Sequence, residues 1–255
     1  MNRQPVSTVD SLHLQTHLPK PTIVRLLRTL ESLRLVQHAP QHGAYYLTSE
    51  VRTLSAGYHS EPQIVEAAMA LMDAMTLKVK WPMAIAVYED NAVVVRYSTI
   101  PLSPLALLHS TINMRLSLVS RALGRAYLAF CDREAQEIIL ETLARSSNPE
   151  DAAARDVAAV RQVLQEIRAN GYAMRDKTVR PVSQTIAVPV CVDERVVATV
   201  GLTYFSSVLT DKKAVATYLA DLQELARSVS VRLGQLGMAT METLNASPPE
   251  PQRRA

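Results

Sequence analysis

Apolar positions in the first fifty residues follow a helical rhythm and then an alternating one. Ile23, Leu27 and Leu30, with Leu26 and Leu33 beside them, recur at three- and four-residue steps and predict a helix with one apolar stripe. Val9 and Leu12 mark a shorter helix over 7–17, capped by Ser7 or Thr8. Leu18-Pro19-Lys20-Pro21 ends it, and Pro21, having no N–H to donate, suits the first residue of the next helix. Residues 35–38 and 44–47 read as strands around a turn containing Gly43. A helix over 50–58, capped by Thr48 or Ser49, leads to the break at Ser60-Glu61-Pro62.

Beyond that break the order is helix, hairpin, three helices, hairpin, helix. Ile64, Val65, Ala68, Leu71, Met72 and Met75 form the apolar side of a helix over 61–77. Strands over 83–88 and 92–97 join through Glu89-Asp90-Asn91, and residues 101–116 are less regular. Helices are expected over 119–130, 132–143 and 150–169. Gly124 allows the first to pack closely, and Asn170-Gly171 stops the third. Valine-rich strands over 185–192 and 195–205 flank Asp193-Glu194, and a helix capped by Asp211 runs to Leu236. The tail, taken as 241–255, has proline and charge without periodicity and is expected to be disordered. Paired strands mixed with helices make the fold class α+β, with the larger sheet flanked by helices.

Composition narrows the function. A chain of 255 residues holds one large domain or two modest ones. The net charge of +3 decides nothing about nucleic acid, so placement carries the argument. Cys131 and Cys191 are far apart and form no CxxC pair, which argues against a disulfide framework and a zinc site. His38 and His42 straddle a turn rather than one helix face. GxSxG, GxGxxG and P-loop motifs are absent, so neither an enzyme, a cofactor nor a metal is expected. With no eighteen-residue apolar run and no signal-peptide core, the expectation is a cytoplasmic protein without a membrane partner.

Two short helices joined by a tight turn can place the second in a DNA major groove. Thr22, Arg25 and Arg28 lie opposite the apolar stripe, and Lys20 stands at the helix start. Arginine can bond guanine O6 and N7 together, and threonine suits phosphate or base. The hairpin after the helix would be a wing carrying His38, Gln41 and His42 near the DNA backbone or minor groove. A helical hairpin with merely solvated arginines fits the same spacing.

The order of parts adds to this. Val6-Ser7-Thr8-Val9, then LPKPTIVRLLRTLESLRLV, then Tyr45-Tyr46-Leu47-Thr48 resemble the winged helix-turn-helix of IclR-type bacterial transcriptional regulators. The likeness continues through ALGRAYLA (122–129), QTIAVPV (184–190), Gly201-Leu202-Thr203 and Leu209-Thr210, reaching about Leu236. It implies a DNA-binding head over 1–48, a linker helix over 49–60 and an effector-binding domain over 61–240. It also implies a homodimer or dimer of dimers on a double-stranded operator, responding to a small-molecule effector. Lys80-Trp81-Pro82, Val94-Val95-Arg96 and Arg115-Leu116-Ser117-Leu118 look most like regulators of aromatic-acid catabolism, hydroxyphenylpropionate-type ones especially.

By the same resemblance the effector pocket falls to Ala122, Leu123, Asp176, Thr185, Gly201 and Thr203. A carboxylate anchor would come from the Thr185 and Thr203 hydroxyls, or from Arg96 or Arg121 if they point inward. Two departures stand out. The family carries a helix before residue 6 where only Met1 to Pro5 precede it here, so either the chain starts further upstream or the head's core is incomplete. In the second case Leu12, Leu27 and Leu30 are expected to be partly uncovered, each worth about 1.5–3 kcal/mol if fully buried. His17 also stands where the family has glycine. An effector-binding protein with a non-functional head, and an enzyme on the larger domain, are the rival readings.

Overall fold

The computed structural model describes residues 6–55, 62–106 and 108–245. The chain divides into two units, residues 1–60 and 61–255.

In the first unit β1 (Val6–Thr8) leads into α1 (Val9–Thr16), and α2 (Lys20–Ser32) is followed by β2 (Val36–Ala39) and β3 (Ala44–Leu47). The strands form an antiparallel sheet in the order β1-β3-β2, with Val6 opposite Tyr46 and Val36 opposite Leu47. β1 lies where the pattern pointed only to a helix start, because three residues are too few to show a period of two. Thr8 caps α1 through a capping box with Ser11. His17 ends the helix in the left-handed region at φ 58°, its N–H donating to the His13 carbonyl. Pro19 caps α2, so Lys20 and Pro21 are its first two residues.

Leu12, Ile23, Leu27 and Val36 form the small core, with Val9, Leu30, Tyr45 and Leu47 against it. Of the three leucines expected to be partly uncovered if the head's core is incomplete, Leu12 and Leu27 are buried, at 8% and 2% exposure, and Leu30 is half-buried. The apolar stripe is instead narrower than expected. Leu26 on α2 and Leu33 just past its end are 48% and 61% exposed. After β3 the chain enters a 3-10 segment, Ser49–Ser55, where an α-helix over 50–58 was expected. Thr48 Oγ1 accepts from the Glu50 N–H and Thr53 Oγ1 donates to the Glu50 carbonyl, local bonds that compete with an α-ladder. Residues 56–61 lie outside the described residues.

The second unit runs α3 (Pro62–Val79), β4 (Met83–Glu89), β5 (Ala92–Ser98), β6 (Arg115–Ser117), α4 (Ala122–Phe130), α5 (Arg133–Ala144), α6 (Val157–Asn170), β7 (Ala173–Met174), β8 (Ser183–Val192), β9 (Arg195–Phe205) and α7 (Asp211–Asn245). Its six-stranded antiparallel sheet has the order β6-β5-β4-β9-β8-β7. The β4–β5 and β8–β9 turns, Asp90-Asn91 and Asp193-Glu194, take positive φ at both residues, the geometry of tight twisted hairpins.

Beyond the short strands β6 and β7 and an α4 that starts at Ala122 rather than 119, three details differ from the pattern. The helix expected over 150–169 is a 3-10 segment, Pro149–Arg155, followed by α6; Asp156 caps α6 by accepting from the Ala159 N–H. Thr210, not Asp211, caps α7, its Oγ1 accepting from the Lys213 N–H while Asp211 takes the Tyr204 hydroxyl. α7 also continues to Asn245, past Leu236 and into the stretch taken as disordered. The sequence MATMETLN carries no proline to stop it. Residues 246–255 lie outside the described residues.

Each sheet face has its own core. Met72 of α3 and Leu222 of α7 pack with Ile85, Ile186, Val200, Leu202 and Tyr204 on one face. On the other, Val93, Val95 and Ala187 meet Leu123 and Leu128 of α4, Leu140 of α5 and Leu164 of α6. Gly124 is the contact point of α4: a Cβ there would lie 2.1 Å from the Ser117 carbonyl oxygen. Cys131 is a buried free thiol, and Trp81 is buried, donating from Nε1 to the Tyr218 hydroxyl.

Candidate functional site

In the first unit, burying Ile23 and Leu27 turns the opposite side of α2 outward. Arg25 and Arg28 are exposed there and Thr22 is half-buried. Lys20 is exposed but not free: its Nζ lies 2.6 Å from Asp10 Oδ1 on α1, and this bond holds the Asp10 carboxyl below its usual range. Both groups face water, so the pair is weak. His42 is exposed on the 3-10 turn Pro40–His42, ahead of Gly43 at φ 55°.

The second unit holds a cavity of about 160 Å³ on the α4 side of the sheet. It exists because strand residues alternate in size as well as in direction. In β9, Val200, Leu202 and Tyr204 fill the α3–α7 face, while Gly201 and Thr203 point the other way and leave room. β8 repeats this with Ile186 and Val188 on one side and Thr185 on the other. Gly201 admits Leu123 closely, since a Cβ there would meet Leu123 Cδ2 at 3.1 Å. Val95, Met114, Leu116 and Leu123 give the cavity apolar walls. The Thr185 and Thr203 hydroxyls line it and bond each other at 2.9 Å.

Three arginines, Arg121, Arg175 and Arg180, also line it. Arg121 is taken: Nε donates to Glu150 Oε2 at 2.8 Å, Nη2 bonds Oε1, and the pairing holds the Glu150 carboxyl below its usual range. Arg175 is 7% exposed, and its Nη2 donates to the carbonyl and hydroxyl of Ser183. Burial, with repulsion from Arg121 and Arg180, pulls its pKa down to about 10.

Of the residues expected to hold an effector, Ala122, Leu123, Thr185, Gly201 and Thr203 come together here, and Arg121 does point inward. Arg96 and Asp176 are not among the lining residues. Arg96 pairs with Glu89 and donates to Asn113 Oδ1. Asp176 accepts from the Thr178 N–H, which chiefly holds it below the usual carboxylate range, and from Arg125 Nη2 at 3.0 Å, which adds to this. Among the described residues no His, Cys, Asp and Glu cluster suits a metal, and no helix is long and apolar enough to cross a membrane.

The family model "Bacterial transcriptional regulator IclR C-terminal" matches residues 56–231, more than half of the chain. The chain belongs to the IclR family. Its similar proteins include the HTH-type transcriptional regulator KdgR of Escherichia coli, 25% identical over 89% of this chain and 85% of KdgR. The DNA-binding transcriptional repressor YiaJ of the same organism is 27% identical over 85% of this chain and 77% of its own. Among solved structures, Thermotoga maritima IclR aligns with a TM-score of 0.70 at 17% identity, covering 91% of this chain and 92% of that one. An IclR homologue from Microbacterium hydrocarbonoxydans, solved with 4-hydroxybenzoate, aligns with a TM-score of 0.65 at 18% identity, with the same coverage. These two likenesses show the fold. Membership makes the chain a bacterial transcriptional regulator of a family whose members bind DNA and small-molecule effectors.

Reading the IclR-type pocket from the sequence missed Arg175, Arg180 and Ser183. Arg175 sits beside Asp176, and neighbours on extended backbone point to opposite sides. The signal was available: Arg175 follows the Asn170-Gly171 helix stop by four residues, where a return to the sheet was to be expected.

Proposed function

We propose that this IclR-family regulator binds operator DNA through a winged helix-turn-helix formed by residues 1–48 and changes its operator affinity when the sheet cavity takes up an aromatic acid. The exposed Arg25–Arg28 side of α2 is the observation that carries the DNA reading. Lys20 and Thr22 flank it as contacts to phosphate or base, and His42 as a contact to the backbone or minor groove. A homodimer, or a dimer of dimers, would present two such helices to a pseudo-palindromic site. The cavity supports the effector reading by joining apolar walls to a small set of polar groups. The neighbour with 4-hydroxybenzoate supports an aromatic ligand by analogy of fold. The natural target would then be an aromatic-acid catabolic operon.

The test is binding of the full chain to DNA from upstream of its own gene, over a range of salt. The logarithm of the affinity should fall linearly with log salt, and Arg25→Ala should cost about 1–3 kcal/mol on the specific site. Wild-type affinity in the folded variant would remove Arg25 from the reading face. The exposed Leu26 and Leu33 favour a second reading, a head that no longer holds DNA. Effector binding with no salt-dependent DNA affinity would select that reading.

A further inference from the structure

The cavity's charge is unbalanced. Glu150 is in direct contact with Arg121 and acts on Arg175 only at longer range, whereas no described carboxylate lies within ion-pair distance of Arg175 or Arg180. Burying an unpaired cation is costly, and such groups are ordinarily paired or hydrogen-bonded. Arg175 is more than nine-tenths buried, yet its Nε has no hydrogen-bond partner. Thr111 Oγ1, also lining the cavity, has none either. Two unanswered donors and two guanidiniums without a contacting carboxylate, around a space walled by Val95, Met114, Leu116 and Leu123, describe one missing object: an anion with an apolar body.

We propose that the carboxylate of a small organic acid sits on Arg175, accepting from Nε, with Thr111 as a further donor and Arg180 supplying a second positive charge from the more exposed side. This rests on reading the cavity as the effector site. It moves the anchor away from the Thr185–Thr203 pair, whose hydroxyls already satisfy each other. Arg175 is pre-positioned: Nη2 is tied to Ser183, and the Arg175 carbonyl accepts from Gln184 Nε2. A guanidinium fixed in this way loses little freedom on meeting a carboxylate and selects acid over neutral isostere. The body of the acid, aromatic or aliphatic, is set by the apolar walls and not by the arginines.

Calorimetric titration of the full chain tests this with 4-hydroxybenzoate, 3-phenylpropionate, hexanoate and the neutral 4-hydroxybenzamide. At least one acid should bind, and the amide should bind about 30-fold more weakly than 4-hydroxybenzoate or not at all. Arg175→Met should lose about 30-fold for the acid that binds best, while Arg180→Gln should lose about 3- to 10-fold and flatten the salt dependence. Arg195→Gln, an exposed charge at the start of β9, is the control and should bind like wild type. Arg175→Met also leaves the buried Ser183 carbonyl and hydroxyl without their donor, so it should melt somewhat earlier than wild type, and the acid–amide comparison on the wild-type chain is what separates anchoring from a structural role. Equal binding of amide and acid, retained affinity in Arg175→Met, or no binding of any acid at millimolar concentration would overturn the proposal. The acid–amide comparison uses wild-type chain and stands even if a variant fails to fold. Binding of hexanoate but neither aromatic acid would sink the aromatic reading and leave the Arg175 anchor in place.

Discussion

Single residues carry two of the tightest constraints. At Gly124 an added Cβ would meet backbone, not a yielding side chain, at 2.1 Å from the Ser117 oxygen and 2.7 Å from Leu118 Cα. Gly124→Ala must push α4 off the sheet, and its urea midpoint should correspond to a loss of about 3 kcal/mol. A midpoint like wild type's would show that α4 is not held there. His17 poses the opposite case. It occupies the left-handed region at φ 58° without being glycine, a conformation costing an L-residue roughly 1–2 kcal/mol. Part of that is offset by the greater entropy glycine loses on folding, so His17→Gly should slow hydrogen exchange in α1 by a factor equivalent to about 1 kcal/mol. Unchanged or faster exchange would contradict it. His17 was legible as a difficulty in the sequence, because a glycine-like turn needs a glycine-like residue. The pairing of Arg96 away from the cavity was not legible, because Glu89 and Asn113 reach it only through the β4–β5 pairing and the chain preceding β6.

At the scale of elements, the long periodic ones were readable and the short ones were not. α2, α3, α5 and the three hairpins β2–β3, β4–β5 and β8–β9 follow from their apolar spacing and turn residues. β1, β6 and β7 have three residues or fewer and exist because a neighbouring strand offers an edge, a long-range fact that no local pattern contains. The break before α6 has a consequence for the site. Pro149–Arg155 carries Glu150 against Arg121, the residue that caps α4, and Ser117 Oγ donates to the Glu150 carbonyl. The clasp thus joins the 3-10 segment, α4 and β6 along one wall of the cavity. Its pH dependence has a definite sign. Pairing with Arg121 depresses the Glu150 carboxyl in the folded chain, so the stabilisation is complete above the ordinary value of 4.5 and is lost as pH falls below it. Asp176, depressed first by the Thr178 N–H and further by Arg125, adds in the same direction below 3.8. Acid unfolding followed by circular dichroism should therefore be shallower in Glu150→Gln than in wild type. Superimposable curves would show that the clasp contributes nothing.

For the whole molecule, family and general role were legible because they reside in the order of many weak signals along the chain. The chemistry of the cavity was less so. The small residues of β8 and β9 could be read as making room, but the convergence of Arg121, Arg175 and Arg180 needs α4, the segment after β7 and the segment before β8 to be placed together. The proposed regulator works only if an acid in that cavity binds two states of the chain with different affinity, since a ligand that binds both equally shifts nothing. Linkage then requires the acid to change DNA affinity and DNA to change acid affinity by the same factor. The decisive measurement is operator affinity of the full chain, by fluorescence anisotropy at fixed salt, without and with a saturating amount of the carboxylate that binds best. We predict a change of about 5- to 150-fold, matched in the reverse titration and absent with the neutral amide. Identical operator affinity at full occupancy of the cavity would contradict the account.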